Sequence, residues 1–177
     1  MRIVSINENQ KIEKRIAITP EIVKKYISLG FKINLSENYG SHLGIKDEQY
    51  VELGAKISKD ENEILNSSDI IVQLSMLSDD MGAKLKENQT LIGVLNPYDN
   101  NEKLQNLAKK KINLFSLELL PRITRAQSMD ILSSQANLAG YKAVVDSFSL
   151  FKRAIPMMMT AAGTIPAAKV LVVGAGE

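Results

Sequence analysis

Between Gln127 and Asn137, side chains that exchange hydrogen bonds recur at helical spacing: Gln127, Asp130, Ser133, Ser134 and Asn137. On a helix turning about 100° per residue, these five fall within roughly a third of the circumference. Met129, Leu132, Ala136, Ala139 and Ala143 occupy another side, where small residues predict close packing. The polar face can donate and accept hydrogen bonds, yet it carries a single charge. Such a set suits a ligand that presents a carboxamide or a ribose. Arg122 and Arg125 precede it and can meet a phosphate or carboxylate.

A second chemical signal lies near the end of the chain, in Lys169-Val-Leu-Val-Val-Gly-Ala-Gly-Glu177. Four apolar residues running into Gly-x-Gly resemble the strand and phosphate turn that open a dinucleotide site. There, glycine lets the backbone approach a pyrophosphate and the following helix N-terminus holds the charge. The third glycine, the helix and the later acidic residue are absent from this chain. Other reactive residue types are scarce. There is no cysteine, and the single histidine is His42. A metal site is therefore not expected. His42 is read as structural, and Asp79-Asp80 as a helix cap.

These residues need elements to hold them. Strand-like and helix-like stretches alternate through residue 119. "RIVSI" starts the series. A helix follows over "TPEIVKKYISLG", with Thr19 as cap, Pro20 in its first turn and Gly30 at its end. "FKINLSE" reads as a half-buried strand with Phe31, Ile33 and Leu35 inward. Asp47 is the candidate cap of a short helix over "DEQYVELGA". Strands are expected at 69–75, 89–96 and 112–119, with helices over "DDMGAKLKEN" and "NNEKLQNLAKKK". Five such β-α units predict a doubly wound parallel sheet, a flavodoxin- or Rossmann-like α/β lobe over 1–125. From 126 to 151 glycine occurs only at 140 and proline not at all, which predicts one helix of about 25 residues linking two lobes. A linker over 152–166 and the first strand and glycine turn of a second, truncated Rossmann lobe over 167–177 complete the expected order.

Composition limits the function class. Of 177 residues, 45% are hydrophobic and 24% charged, and the net charge of +2 generates no field that argues for nucleic acid. No basic-plus-apolar leader opens the chain, and no apolar run reaches the roughly 20 residues of a membrane helix. The expectation is a cytoplasmic α/β protein.

"RITRAQSMDILSSQANLAGYKAV", then "MMMTAAGTIPAAKVLVVGAG", closely resembles the alpha subunits of proton-translocating NAD(P) transhydrogenases. The opening from Arg15 to Pro20 fits the same family, and the resemblance runs the whole length of the chain. The first 119 residues are similar, more loosely, to alanine dehydrogenases. The resemblance implies a peripheral NAD(H)-binding component whose two lobes enclose the dinucleotide. Hydride passes directly from NADH to NADP⁺ on a partner domain, coupled to proton translocation by a membrane domain. It implies Arg122, Gln127, Ser128, Met129, Asp130 and Ser133 around the nicotinamide, with Gln127 and Asp130 as the catalytic pair and Gln127 reaching toward the NADP(H) partner. Gly174, Ala175 and Gly176 would face the pyrophosphate. It further implies NADP(H)-binding and transmembrane partner subunits, a homodimer, and a place on the inner face of the membrane held through those partners.

Two other readings are kept. In one, the 177-residue chain is a non-catalytic fragment or assembly module. Glu177 stands where the family continues with a further glycine and a full lobe, so the chain alone is expected to bind NAD(H) weakly and to be inactive. In the other it is an alanine dehydrogenase, which would need a lysine near position 73 and a histidine near 96–98. The sequence has Gln73 and Asn96-Pro97-Tyr98 there.

Overall fold

The computed structural model describes residues 1–174 and divides the chain into two compact units, Met1–Leu120 and a second that begins at Pro121. In the first unit, strands β1 (Arg2–Ser5), β2 (Lys32–Ser36), β3 (Lys56–Ser58), β4 (Ile70–Val72), β5 (Thr90–Gly93) and β6 (Asn113–Ser116) form one six-stranded sheet. Its order is β3-β2-β1-β4-β5-β6, and every pairing is parallel. This is the doubly wound, Rossmann-like arrangement, in which the chain reverses direction across the sheet between β1 and β4. Helices α1 (Pro20–Ser28), α2 (Asp47–Glu52), α3 (Glu61–Asn66), α4 (Asp79–Ala83) and α5 (Asn101–Lys109) make the crossovers.

Strand alternation divides the core. Successive residues of a strand face opposite sides of the sheet, so Ile3 joins Ile18, Val23, Ile33, Leu35, Tyr39 and Tyr50 on one side. Val4 joins Ile64, Leu65, Ile71, Leu91, Leu95 and Leu107 on the other. Because both faces are covered, β2 is buried on both sides: Ile33, Asn34, Leu35 and Ser36 are all buried. The half-buried strand expected there is corrected accordingly, and Phe31 lies just outside it.

Capping follows its chemistry with some exchanges of role. Pro20 opens α1 after Thr19, whose side chain makes no cap bond, and Gly30 follows the helix at φ +86°. A left-handed backbone there suits glycine, which lacks a Cβ. Lys46, not Asp47, precedes α2, and Asp47 Oδ2 instead accepts from the Asn38 amide at 2.8 Å. Ser78, not an aspartate, caps α4, and Asp79 pairs with Lys103 at 3.0 Å.

The strand β3 and the helix α3 fall within a stretch to which the sequence pattern assigned no element, so six strands replace the five expected. β3 is three residues long at the sheet edge, with one apolar residue, Ile57, to mark it. For α3 a signal existed: Asp60 accepts from the Asn62 and Glu63 amides at 2.8 and 3.3 Å, just before the buried pair Ile64-Leu65.

In the second unit, residues Thr124–Met129 form a 3-10 turn, and α6 (Ile131–Leu150) follows. The helix has 20 residues, about 30 Å at roughly 1.5 Å per residue, rather than the 25 expected from residue 126. No residue of α6 is buried, so the small-residue side with Ala136, Ala139 and Ala143 is exposed. Strands β7 (Met158–Thr160) and β8 (Gly163–Ile165) pair as an antiparallel hairpin within the segment expected to be a linker. Residues 167–174 take no regular structure, and Val170 to Val173 are exposed. The strand expected there has no pairing partner among the described residues, and unpaired strand backbone gains nothing over solvent.

Candidate functional site

The second unit gathers Arg122, Ile123, Thr124, Gln127, Asp130, Ser133 and Ser134 around one cavity of about 350 Å³. Local backbone chemistry explains how they meet. The 3-10 turn Thr124–Met129 is a tighter coil than an α-helix, and it ends at Asp130, whose backbone is extended at φ −74° and ψ 92°. The continuous helical wheel therefore fails at Asp130. A cap replaces it: Asp130 Oδ1 accepts from the Leu132 and Ser133 amides at 3.0 and 3.1 Å, and Ser133 Oγ donates to Oδ2 at 2.7 Å. An aspartate that offers its oxygens to nearby amides favours a helix start over a helix interior.

The same bonds set the electrostatics. The Ser133 amide and hydroxyl hold the Asp130 carboxyl below the usual carboxylate range, and the positive charge of Arg122 adds to the effect. Arg122 forms no ion pair among the described residues, although it lines the cavity with Asp130. The cavity thus presents one guanidinium, one carboxamide, two hydroxyls and a carboxylate largely engaged by its own helix. Guanidinium and amide N–H groups complement carbonyl or phosphate oxygens, and the amide oxygen complements an N–H. The volume lies toward the small end of ligand sites.

Of the residues singled out from sequence, Arg122, Gln127, Asp130, Ser133 and Ser134 line this cavity. Ser128 and Met129 belong to the 3-10 turn but do not line it, and both are exposed. Asn137 lies farther along α6 and Arg125 within the turn, and neither lines it. Gly174 is the last described residue, at φ +94°. Ala175 and Gly176 lie outside the described residues.

In the first unit, the positions that would separate the two related chemistries are engaged. Gln73 is 3% exposed. Its Oε1 accepts from Ser5 Oγ at 2.8 Å and the Ile6 amide at 3.0 Å, and its Nε2 donates to Ile6 O at 3.3 Å. Asn96 donates its amide to Glu118 Oε1 at 2.5 Å, and Tyr98 is 89% exposed. Arg15 holds Glu13 through its Nε at 2.9 Å and through Nη2 at 2.6 Å. His42 is tied to its neighbours: Nε2 donates to Lys14 O at 2.7 Å, and Nδ1 lies 3.3 Å from Gln10 Nε2.

Sequence reasoning missed a buried polar network. The Tyr39 hydroxyl, on a side chain 1% exposed, accepts from the Ala17 and Ile18 amides at 3.1 and 3.2 Å and bonds Ser5 Oγ at 2.7 Å. No sequence signal marks it, because its partners lie 34, 22 and 21 residues away.

Residues 5–139 match the family described as alanine dehydrogenase/PNT, N-terminal domain. The chain is 44% identical over 180 residues to the first portion of NAD(P) transhydrogenase subunit alpha of Rickettsia prowazekii, covering 99% of this chain and 47% of that protein. It is 44% identical over 181 residues to the protein of the same name from Rhodospirillum rubrum, with the same coverage of each. The crystal structure of transhydrogenase from Sinorhizobium meliloti superposes with a TM-score of 0.87 at 42% identity, over 94% of this chain and 50% of that one. The chain spans about half the length of the curated relatives it matches.

Proposed function

Since the chain belongs to the alanine dehydrogenase/PNT N-terminal domain family, we propose that it acts within the NAD(H)-binding component of an NAD(P) transhydrogenase. The observation that carries the reading is the cavity that joins Arg122, Gln127, Asp130 and Ser133. A nicotinamide carboxamide is a flat donor and acceptor, and the cavity offers both partners. Arg122 and Gln127 supply N–H groups to its oxygen or to a neighbouring phosphate, and the Gln127 oxygen accepts from its N–H.

The chemistry that the bound dinucleotide supplies is hydride donation from its reduced ring. The chain's own role is to orient. Asp130 fixes the first turn of α6 through Leu132 and Ser133 and so holds Ser133 at the cavity wall. Gln127 stands on the preceding turn, where it orients the ring and reaches toward an NADP(H)-bearing partner. Direct hydride transfer needs no protein acid or base, so positioning carries the rate. NADP(H)-binding and transmembrane subunits, a homodimer of this component, and attachment to the inner face of a membrane through those partners belong to the same proposal. No helix of the described residues is long and apolar enough to cross a membrane.

An amino-acid dehydrogenase fits less well. Gln73 and Asn96 occupy the positions where that reaction would need a lysine and a histidine, and both are bound into local structure.

The test is a titration of the isotopically labelled chain with NADH, followed by amide shifts. The expected result is a saturable response confined to Arg122, Gln127, Ser133 and their neighbours, reduced at least about tenfold in affinity by Arg122→Ala, equivalent to roughly 1.4 kcal/mol. A response centred elsewhere, or none at millimolar NADH, would overturn the reading.

A further inference from the structure

The first unit has a crevice of its own. In a doubly wound sheet, ligands bind beyond the carboxyl ends of the strands, where the strand order reverses. Here that point lies between β1 and β4. A cavity of about 490 Å³ opens there, with Glu8, Gln73, Ser75, Asn96, Asn100 and Lys103 in its wall.

The polar end of this crevice holds a set of donors converging on one carboxylate. The Leu74 amide donates to Glu8 Oε1 at 2.7 Å and the Ser75 amide to the same oxygen at 3.3 Å. Gln73 Nε2 reaches it at 3.4 Å, and Ser75 Oγ bonds the other oxygen, Oε2. Successive backbone amides with a hydroxyl beside them form an anion-binding concavity. The carboxylate arrives from far along the chain: Glu8 lies between β1 and α1, 66 residues from Leu74. The cation in the same wall is engaged elsewhere, since Lys103 Nζ pairs with Asp79 at 3.0 Å.

We propose that this crevice is a recognition site for a small monocarboxylate whose occupant is the chain's own Glu8. The Leu74 and Ser75 amides bind the carboxylate, Ser75 Oγ fixes its second oxygen, and Gln73 supports the first. A tethered group competes at an effective concentration in the millimolar range or above. Free carboxylates are therefore kept out while Glu8 is seated, which gives the lobe a physical reason not to hold an amino or keto acid. The inference does not depend on the nicotinamide reading, because it concerns other residues in the other unit.

Acetate is the probe, titrated against chloride at equal ionic strength into the full 177-residue chain while the Leu74 and Ser75 amides are followed. The intact chain should show no saturable shift at these amides. Glu8→Ala should show one, with half-saturation at tens of millimolar, on the order of a site built from neutral donors, and acetate should raise its Tm where chloride does not. Glu8→Gln keeps the shape and an accepting oxygen, and it should stay unresponsive. If Glu8→Ala loses its dispersed spectrum, the reading becomes its recovery in acetate but not in chloride. Absence of both saturation and recovery in Glu8→Ala, or equal saturation in the intact chain, would overturn the proposal.

Discussion

Asp130 shows how one residue acts twice. Its spacing from Gln127 and Ser133 marked it for a ligand face, and its oxygens hold the first turn of α6. Its folded carboxyl lies below the usual range, first through the Ser133 amide. A depressed carboxyl contributes stability above its unfolded value and loses it as pH falls through the folded one. A pH titration by NMR should therefore place the Asp130 midpoint below that of an unfolded aspartate, with the Leu132 and Ser133 amides moving in step. A midpoint at or above the ordinary value would contradict the cap. Tyr39 is the matching case in the first unit. Burial pushes its hydroxyl above the ordinary tyrosine value, against its hydrogen bonds. Its neutral form is thus favoured by folding, and that stability is lost as pH rises through the folded value. Tyr39→Phe strands the Ala17 and Ile18 amides and should cost about 1–3 kcal/mol in urea unfolding; a change within error would remove the network from any structural role. The site residues were legible because Arg122 to Ser134 sit together in sequence. Glu8, Gln73 and Tyr39 were not, because each meets partners tens of residues away.

Among the elements, the sheet order puts β4 and β5 so close that Gly93 has no room for a side chain. A Cβ at Gly93 would stand 2.4 Å from the Gln73 carbonyl oxygen, which is backbone and cannot swing away. Gly93→Ala should cost about 1–3 kcal/mol, as overpacking does, and should shift the Gln73 amide. Gly140 on α6 meets nothing within 4 Å, so Gly140→Ala is the control, gaining about 0.5–1 kcal/mol. Equal effects at the two positions in denaturant melts would argue against this packing. The strongly periodic elements, α1 and α5, stood out in the sequence. β3 did not, since three residues at a sheet edge carry too little apolar pattern. The helix over 126–151 was legible as a helix but not in its start, because a capping aspartate looks the same on a wheel whether it ends one coil or continues another.

For the whole molecule, both hydrophobic clusters of the first unit are drawn from residues 3 to 112. A chain ending at Leu120 should therefore fold by itself and unfold in one cooperative urea transition. Loss of that transition would mean that the core depends on residues beyond Pro121. Alternating apolar patterns, turn glycines and prolines determined the α/β class and the parallel sheet from sequence alone, because local periodicity and backbone restrictions act within a few residues. The chemistry-bearing stretch from Arg122 to Ser134 was determined in the same way. Only tertiary structure decided that Asp130 divides the turn from α6, that Gln73 is a buried tie, and that Glu8 fills the crevice between β1 and β4. Those outcomes rest on hydrogen bonds and packing between distant segments, and their geometry exists only once the sheet has brought the strand ends together.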